Sequence, residues 1–132
     1  MARSLGLAAY RAMIRHGTAD VVPPSGPRPP GELVWIHAAE SGNLLAVQDL
    51  ALRLCAVRTG LNVLITLPEG ADVTALAKTD NNVIVQPVPG EHQSTVKAFH
   101  DHWKPDCCIW VWGALRPNLV LETGARQCAM FL

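Results

Sequence analysis

From Glu32 onward, short apolar runs alternate with amphipathic stretches. Leu33–His37, Leu61–Leu67, Asn82–Val88 and Cys107–Trp112 are rich in branched or aromatic residues, which predicts buried strands. Between them the apolar positions recur with helical spacing. Leu44, Val47, Ala51 and Leu54 fall on one face of a helix predicted over Leu44–Arg58. Asn43 stands at its N-cap position and Gly60 at its stop, with Arg53 and Arg58 near the negative end of its dipole. A second helix is predicted over Glu91–Trp103, with His92, Val96, Phe99 and Trp103 as its inner stripe. A shorter one is expected across Val73–Lys78, and another from Pro117, an early position that suits proline, to near Arg126. Pro87 and Pro89 should stop the third strand, and Cys128–Leu132 reads as the start of a fifth. C-C-I-W-V-W is apolar on both faces, as a central parallel strand should be. The alternation predicts an α/β, Rossmann-like parallel sheet with flanking helices and right-handed crossovers. The sequence stops in the middle of this repeat, so a partial domain, or one completed by another chain, is expected.

The first 31 residues break the pattern. Residues 2–16 predict a short amphipathic helix, with Leu5, Ala9 and Met13 on one stripe and Tyr10 and Ile14 beside it. Arg3, Arg11 and Arg15 lie on another side with no acidic residue among them. Such a helix either rests its basic face on an anionic membrane surface or packs on its own domain. Residues 17–31 read as a linker, holding five of the ten prolines and three glycines. The domain proper is expected over residues 32–132.

Length and composition narrow the classes. At 132 residues the chain is one domain, or a domain and a tail, and at 49% hydrophobic and 17% charged residues it can bury a core. Eleven Lys and Arg balance eleven Asp and Glu. A nucleic-acid binder needs a basic excess, so no nucleic-acid partner is expected. Cys55, Cys107, Cys108 and Cys128 form no C-x-x-C pair. Neither a metal site nor a disulfide framework follows, which favours a reducing cytoplasm. No apolar run reaches the roughly 18 residues of a membrane-spanning helix. The N-terminus also lacks a signal peptide's apolar core and cleavage site.

In open parallel sheets, ligands bind beyond the carboxyl ends of the strands. Two polar turns lie there, Ala38–Asn43 and Gly113–Asn118, and they line one crevice if strands one and four are neighbours. The first turn has a single glycine, Gly42, so it is no dinucleotide fingerprint. Its small residues Ala38, Ala39, Ser41 and Gly42 still admit a ligand to the helix N-terminus. Glu40 is the one carboxylate in that turn, either a general base or an exposed loop glutamate. His37, ending its strand, is a core or rim histidine or a ligand contact. Arg116 and Asn118 open the next helix, where either the arginine clamps a carboxylate or phosphate or Pro117 and Asn118 simply shape the turn. His100 and His102 flank Asp101 but point in different directions, so no metal is expected there. No nucleophile elbow is present.

W-I-H-A-A-E-S-G-N, followed later by D-H-W-K-P-D-C-C-I-W-V-W-G-A-L-R-P-N-L, resembles the 3-deoxy-D-manno-octulosonic acid (Kdo) transferases. The resemblance runs from about Leu5 to the last residue. It implies the N-terminal, acceptor-side half of a GT-B glycosyltransferase, whose sugar-nucleotide half would be a second Rossmann-like unit. It also implies transfer of Kdo from CMP-Kdo to a lipid A precursor in lipopolysaccharide biosynthesis, with no cofactor. The expected location is the cytoplasmic side of the inner membrane of a Gram-negative bacterium. The family's first turn reads approximately H-A-x-S-V-G-E, its last glutamate being the catalytic base. His37, Ala38 and Gly42 match, but Asn43 holds the base position and Glu40 lies three positions earlier. The second motif usually reads E-x-E-L-W-P-N. Leu115, Pro117 and Asn118 match, whereas Trp112 and Ala114 stand for the glutamates and Arg116 for the tryptophan. The substrate-binding positions implied are His37, Ser41, Gly42, Asn43, Arg116 and Asn118, with Glu40 as the remaining candidate base. The alternative is a non-catalytic interaction or regulatory domain that kept the fold and lost the base.

Overall fold

A computed structural model describes Pro24 and residues 26–71, 82–111, 113 and 115–131. The helices expected over residues 2–16 and 73–78, most of the linker, and Trp112 and Ala114 lie outside the described residues. Five strands, β1 (Leu33–Ala38), β2 (Asn62–Leu67), β3 (Val83–Pro87), β4 (Cys107–Val111) and β5 (Ala129–Phe131), form a parallel sheet in the order β3-β2-β1-β4-β5. The α/β, Rossmann-like expectation therefore holds. Strands one and four are neighbours, with Trp35 opposite Cys108 and His37 opposite Trp110.

Alternation along each strand feeds two cores. One face carries Ile36, Ala38, Val63, Ile65 and Leu67 and is covered by α1 (Leu44–Val57) through Val47 and Ala51. The other carries Leu33, Trp35, Leu64, Cys108 and Trp110. It is covered by α2 (Gln93–Trp103) and α3 (Pro117–Ala125) through Val96, Phe99, Trp103 and Leu119. Because both faces are buried, the strands read as unbroken apolar runs. Trp35 and Trp103 are fully buried, and covering a large apolar side chain of this kind stabilises the fold by roughly 1.5–3 kcal/mol.

Local chemistry departs from expectation at three places, while β3 ends on Pro87 as expected. The Val88 N–H continues the ladder to the Leu67 carbonyl at 2.9 Å, so the proline nitrogen falls on the side away from β2. His92 is the N-cap of α2, not part of its inner stripe: its Nδ1 accepts the Ser94 N–H at 3.2 Å. The buried face of α2 is Thr95, Val96, Phe99, His100 and Trp103. Asn43 occupies the N-cap position of α1 but makes no capping bond, because it belongs to a 3-10 turn over Ser41–Asn43. Arg53 and Arg58 bond Asp49 at 2.9 Å and Glu32 at 2.6 Å, so each answers a carboxylate rather than the helix end alone.

The end of the proline-rich stretch is docked at the amino ends of the strands. Arg28 donates from Nε to the Trp103 carbonyl at 2.6 Å and from Nη2 to the Lys104 carbonyl at 3.3 Å, capping the last turn of α2. It also bonds the Gly31 carbonyl and lies 3.7 Å from Asp106, whose Oδ2 accepts the Leu33 N–H. His102 Nε2 sits 2.7 Å from the Gly26 carbonyl.

Candidate functional site

At the opposite pole, the carboxyl ends of β1 and β4 bring the two polar turns into contact. The Ala39 N–H donates to the Val111 carbonyl at 3.4 Å. Gly113 then crosses the first turn with φ +142°, and a Cβ there would lie 2.5 Å from Ala39 Cβ and 3.2 Å from Glu40 Cγ. Only glycine allows so close a crossing. Glu40 is exposed with its stem against Gly113, and Gly42 is exposed beside it. The Asn43 N–H donates to the Glu40 carbonyl at 3.1 Å, which closes the 3-10 turn. Of Ser41, the described part is the backbone in that turn.

Beneath the two turns a single rung of the sheet is polar across four strands. His37 pairs with Thr66 and with Trp110, and Thr66 pairs with Gln86. All four are buried. The Trp35 indole donates to Thr66 Oγ1 at 2.8 Å, and His37 Nδ1 lies 2.8 Å from the same hydroxyl. The His37 ring lies against Trp110 with centroids 4.3 Å apart. Trp110 Nε1 is buried without a hydrogen-bond partner, a cost proteins rarely leave standing. Burial, with the nearby Arg116 charge, lowers the His37 pKa to about 4, against a hydrogen bond to Thr66 that raises it. His37 is therefore neutral at pH 7, and it is buried below the two turns rather than exposed between them.

The second turn is held from two sides. Arg116 Nη2 donates to Glu69 Oε1 at 3.0 Å and to the Pro89 carbonyl at 3.1 Å, and its Nε lies 3.7 Å from Glu91 Oε1. Asn118, also buried, donates from Nδ2 to the Glu91 carbonyl at 2.7 Å. The structure thus brings Glu40, Gly42 and Asn43 to one turn and Arg116 and Asn118 to the other, with His37 below.

Thr66, Gln86, Glu69 and Glu91 were not singled out by the sequence. For Thr66 and Gln86 the signal was present, since β2 and β3 each carry one polar residue near the carboxyl end, as β1 does with His37. Glu69 and Glu91 carry no comparable local mark, because their partners come from a distant helix. Cys107, Cys108 and Cys128 are poor nucleophile candidates: burial pushes all three thiols up, Cys128 to about 11. Among the described residues, no three His, Cys, Asp or Glu side chains converge to hold a metal ion.

The family profile for 3-deoxy-D-manno-octulosonic-acid transferase (kdotransferase) matches residues 11–132. The chain is 31% identical over 102 residues to the probable mitochondrial 3-deoxy-D-manno-octulosonic acid transferase of Arabidopsis thaliana, covering 74% of this chain and 22% of that protein. It is 30% identical over 101 residues to the 3-deoxy-D-manno-octulosonic acid transferase of Rickettsia typhi, covering 76% of this chain and 22% of that protein. The chain thus spans about a fifth of the length of the curated relatives it matches, 22% in each case. No solved structure matches it at a significant level.

Proposed function

This chain belongs to the 3-deoxy-D-manno-octulosonic-acid transferase family, and on that premise we propose that it is the acceptor-binding part of a Kdo transferase. In this reading it works with a second Rossmann-like half, in the same or another chain, in a GT-B arrangement. That enzyme moves Kdo from CMP-Kdo to a lipid A precursor in lipopolysaccharide biosynthesis, and this part alone is inactive. The observation that supports it best is the meeting of two polar turns at the β1–β4 junction, where an open parallel sheet offers a crevice.

The chemistry asked of this part is small. An acceptor hydroxyl attacks the anomeric carbon of Kdo, the bond to the CMP phosphate breaks, and CMP leaves with the electron pair. The hydroxyl proton needs a base within hydrogen-bond reach. Glu40 is the carboxylate that the first turn presents, exposed and with its Cγ beside Gly113. Asn43, at the position where the resemblance puts the base, cannot take the proton. Gly42 and the backbone of the 3-10 turn let a sugar approach closely.

A second reading, a non-catalytic interaction domain, is favoured by Asn43 and by the engagement of Arg116 and Asn118 with the chain's own glutamates. A transfer assay from CMP-Kdo to a lipid A precursor separates the two, using the full-length protein and its Glu40→Gln and Asn43→Glu variants. Loss of about 10²–10⁴ in turnover is expected for Glu40→Gln, the usual contribution of a general base. Unchanged turnover removes Glu40 from the mechanism. No turnover in the parent, with activity appearing in Asn43→Glu, establishes a domain that kept the fold and lost the base.

A further inference from the structure

The amino end of α3 opens toward the second turn, and such an end ordinarily draws an anion to its free N–H groups. Here it is filled from within. The Glu91 side chain is only 8% exposed. Its Oε2 accepts the Asn118 N–H at 2.8 Å, and its Oε1 accepts the Leu119 N–H at 3.1 Å. Asn118 Nδ2 returns a bond to the Glu91 carbonyl at 2.7 Å, so backbone and side chain of the same residue are gripped together. The neighbouring cation is also engaged: Arg116 lies between Glu91 and Glu69, two carboxylates against one guanidinium. An entering phosphate or carboxylate would have to expel Glu91 from its donors or sit against two like charges. Either route is opposed, the first by lost hydrogen bonds and the second by like-charge repulsion.

We propose that Glu91 is a specificity-determining residue that excludes anionic groups from the second turn of the crevice. The part of an acceptor seated there is then a neutral, hydroxyl-bearing sugar ring, with any phosphate or carboxylate directed elsewhere. The inference rests on the reading that this crevice holds the acceptor, but the exclusion is measured without any transfer reaction.

The experiment is a titration of the full chain with inorganic phosphate, followed by the amide NMR signals of Asn118 and Leu119. In the parent protein these signals stay in place. In Glu91→Ala they move saturably, with an affinity at least about tenfold above the parent's, because two N–H donors are released and one of the two carboxylates beside Arg116 is gone. Glu91→Gln keeps the shape and one acceptor oxygen while removing the charge, and gives a smaller saturable shift. Saturable movement of both signals in the parent overturns the proposal. So does a folded Glu91→Gln or Glu91→Ala that leaves them in place. If Glu91→Ala loses its amide dispersion, the parent and Glu91→Gln decide. A failed transfer assay leaves this result standing, and phosphate binding by the parent would overturn the exclusion without touching the transfer reading.

Discussion

His37 and Trp110 face each other across β1 and β4 with ring centroids 4.3 Å apart and planes inclined at 57°. An indole surface on one side and the Thr66 hydroxyl on the other suit a neutral imidazole and give a charged one little solvation.

His100 is placed in the same way on the far side of the layer. Its Nε2 lies 2.9 Å from Thr123 Oγ1, which itself donates to the Leu119 carbonyl at 2.7 Å. Burial is the main cause that lowers both histidines to about 4. The folded pKa lies below the unfolded value of 6.5, so on acidification the unfolded chain binds protons first. Stability is full above pH 6.5 and falls as the pH drops toward 4, by about 3 kcal/mol per histidine at the limit. Urea midpoints measured from neutral pH downward should fall through this window, and His100→Gln should flatten the slope. A flat profile in the parent would show that these imidazoles are not held neutral by the fold.

Thr66 serves two buried partners with one hydroxyl. Thr66→Val keeps the shape and strands both the Trp35 indole and His37 Nδ1, at a cost of roughly 1–3 kcal/mol for each unsatisfied group. Thr66→Ser retains the oxygen and should lose much less. Equal urea midpoints for the two variants would show that packing, not the hydroxyl, matters at this rung.

Much of this architecture was legible because burial on both faces writes itself into the sequence. Runs such as V-L-I-T-L and C-C-I-W-V could only be central strands, and their spacing located both crevice turns. Their contact was not legible. It depends on Gly113 passing over Ala39, which is a fact of crossing backbones and leaves no periodic trace. Arg116 shows the same limit. Its residue type suggested a clamp for a ligand anion, yet Glu69 and Glu91 reach it from the ends of other strands. His92 was placed on the inner stripe by spacing alone, whereas its capping bond to Ser94 competes with helix and wins at the first turn.

Gly113 offers a direct probe of the crevice. Gly113→Ala places a methyl 2.5 Å from Ala39 Cβ at a backbone angle that side chains rarely adopt. A loss of about 1–3 kcal/mol is expected, together with separation of the two turns. Thermal denaturation gives the first, and amide shifts confined to residues 38–43 and 113–118 give the second. A variant as stable as the parent with an unchanged spectrum would mean that the crossing is looser than described.

Membrane attachment is a separate proposal, motivated by Arg3, Arg11 and Arg15 without an acidic residue among the first 16. Co-sedimentation with anionic vesicles should require residues 2–16 and weaken as salt rises. Equal binding after deletion of that segment would sink the idea.

Arg28 gives the domain a polarity of mounting. Its guanidinium is fastened beside the start of β1, so a pull on the chain before Gly26 is borne first by the His102 contact to Gly26 and then by Arg28 at the Trp103 and Lys104 carbonyls. The load enters at one pole while the two turns sit at the other, with the length of the strands between them. A surface that holds this protein by its leading residues would therefore strain the fastening before it disturbs the crevice.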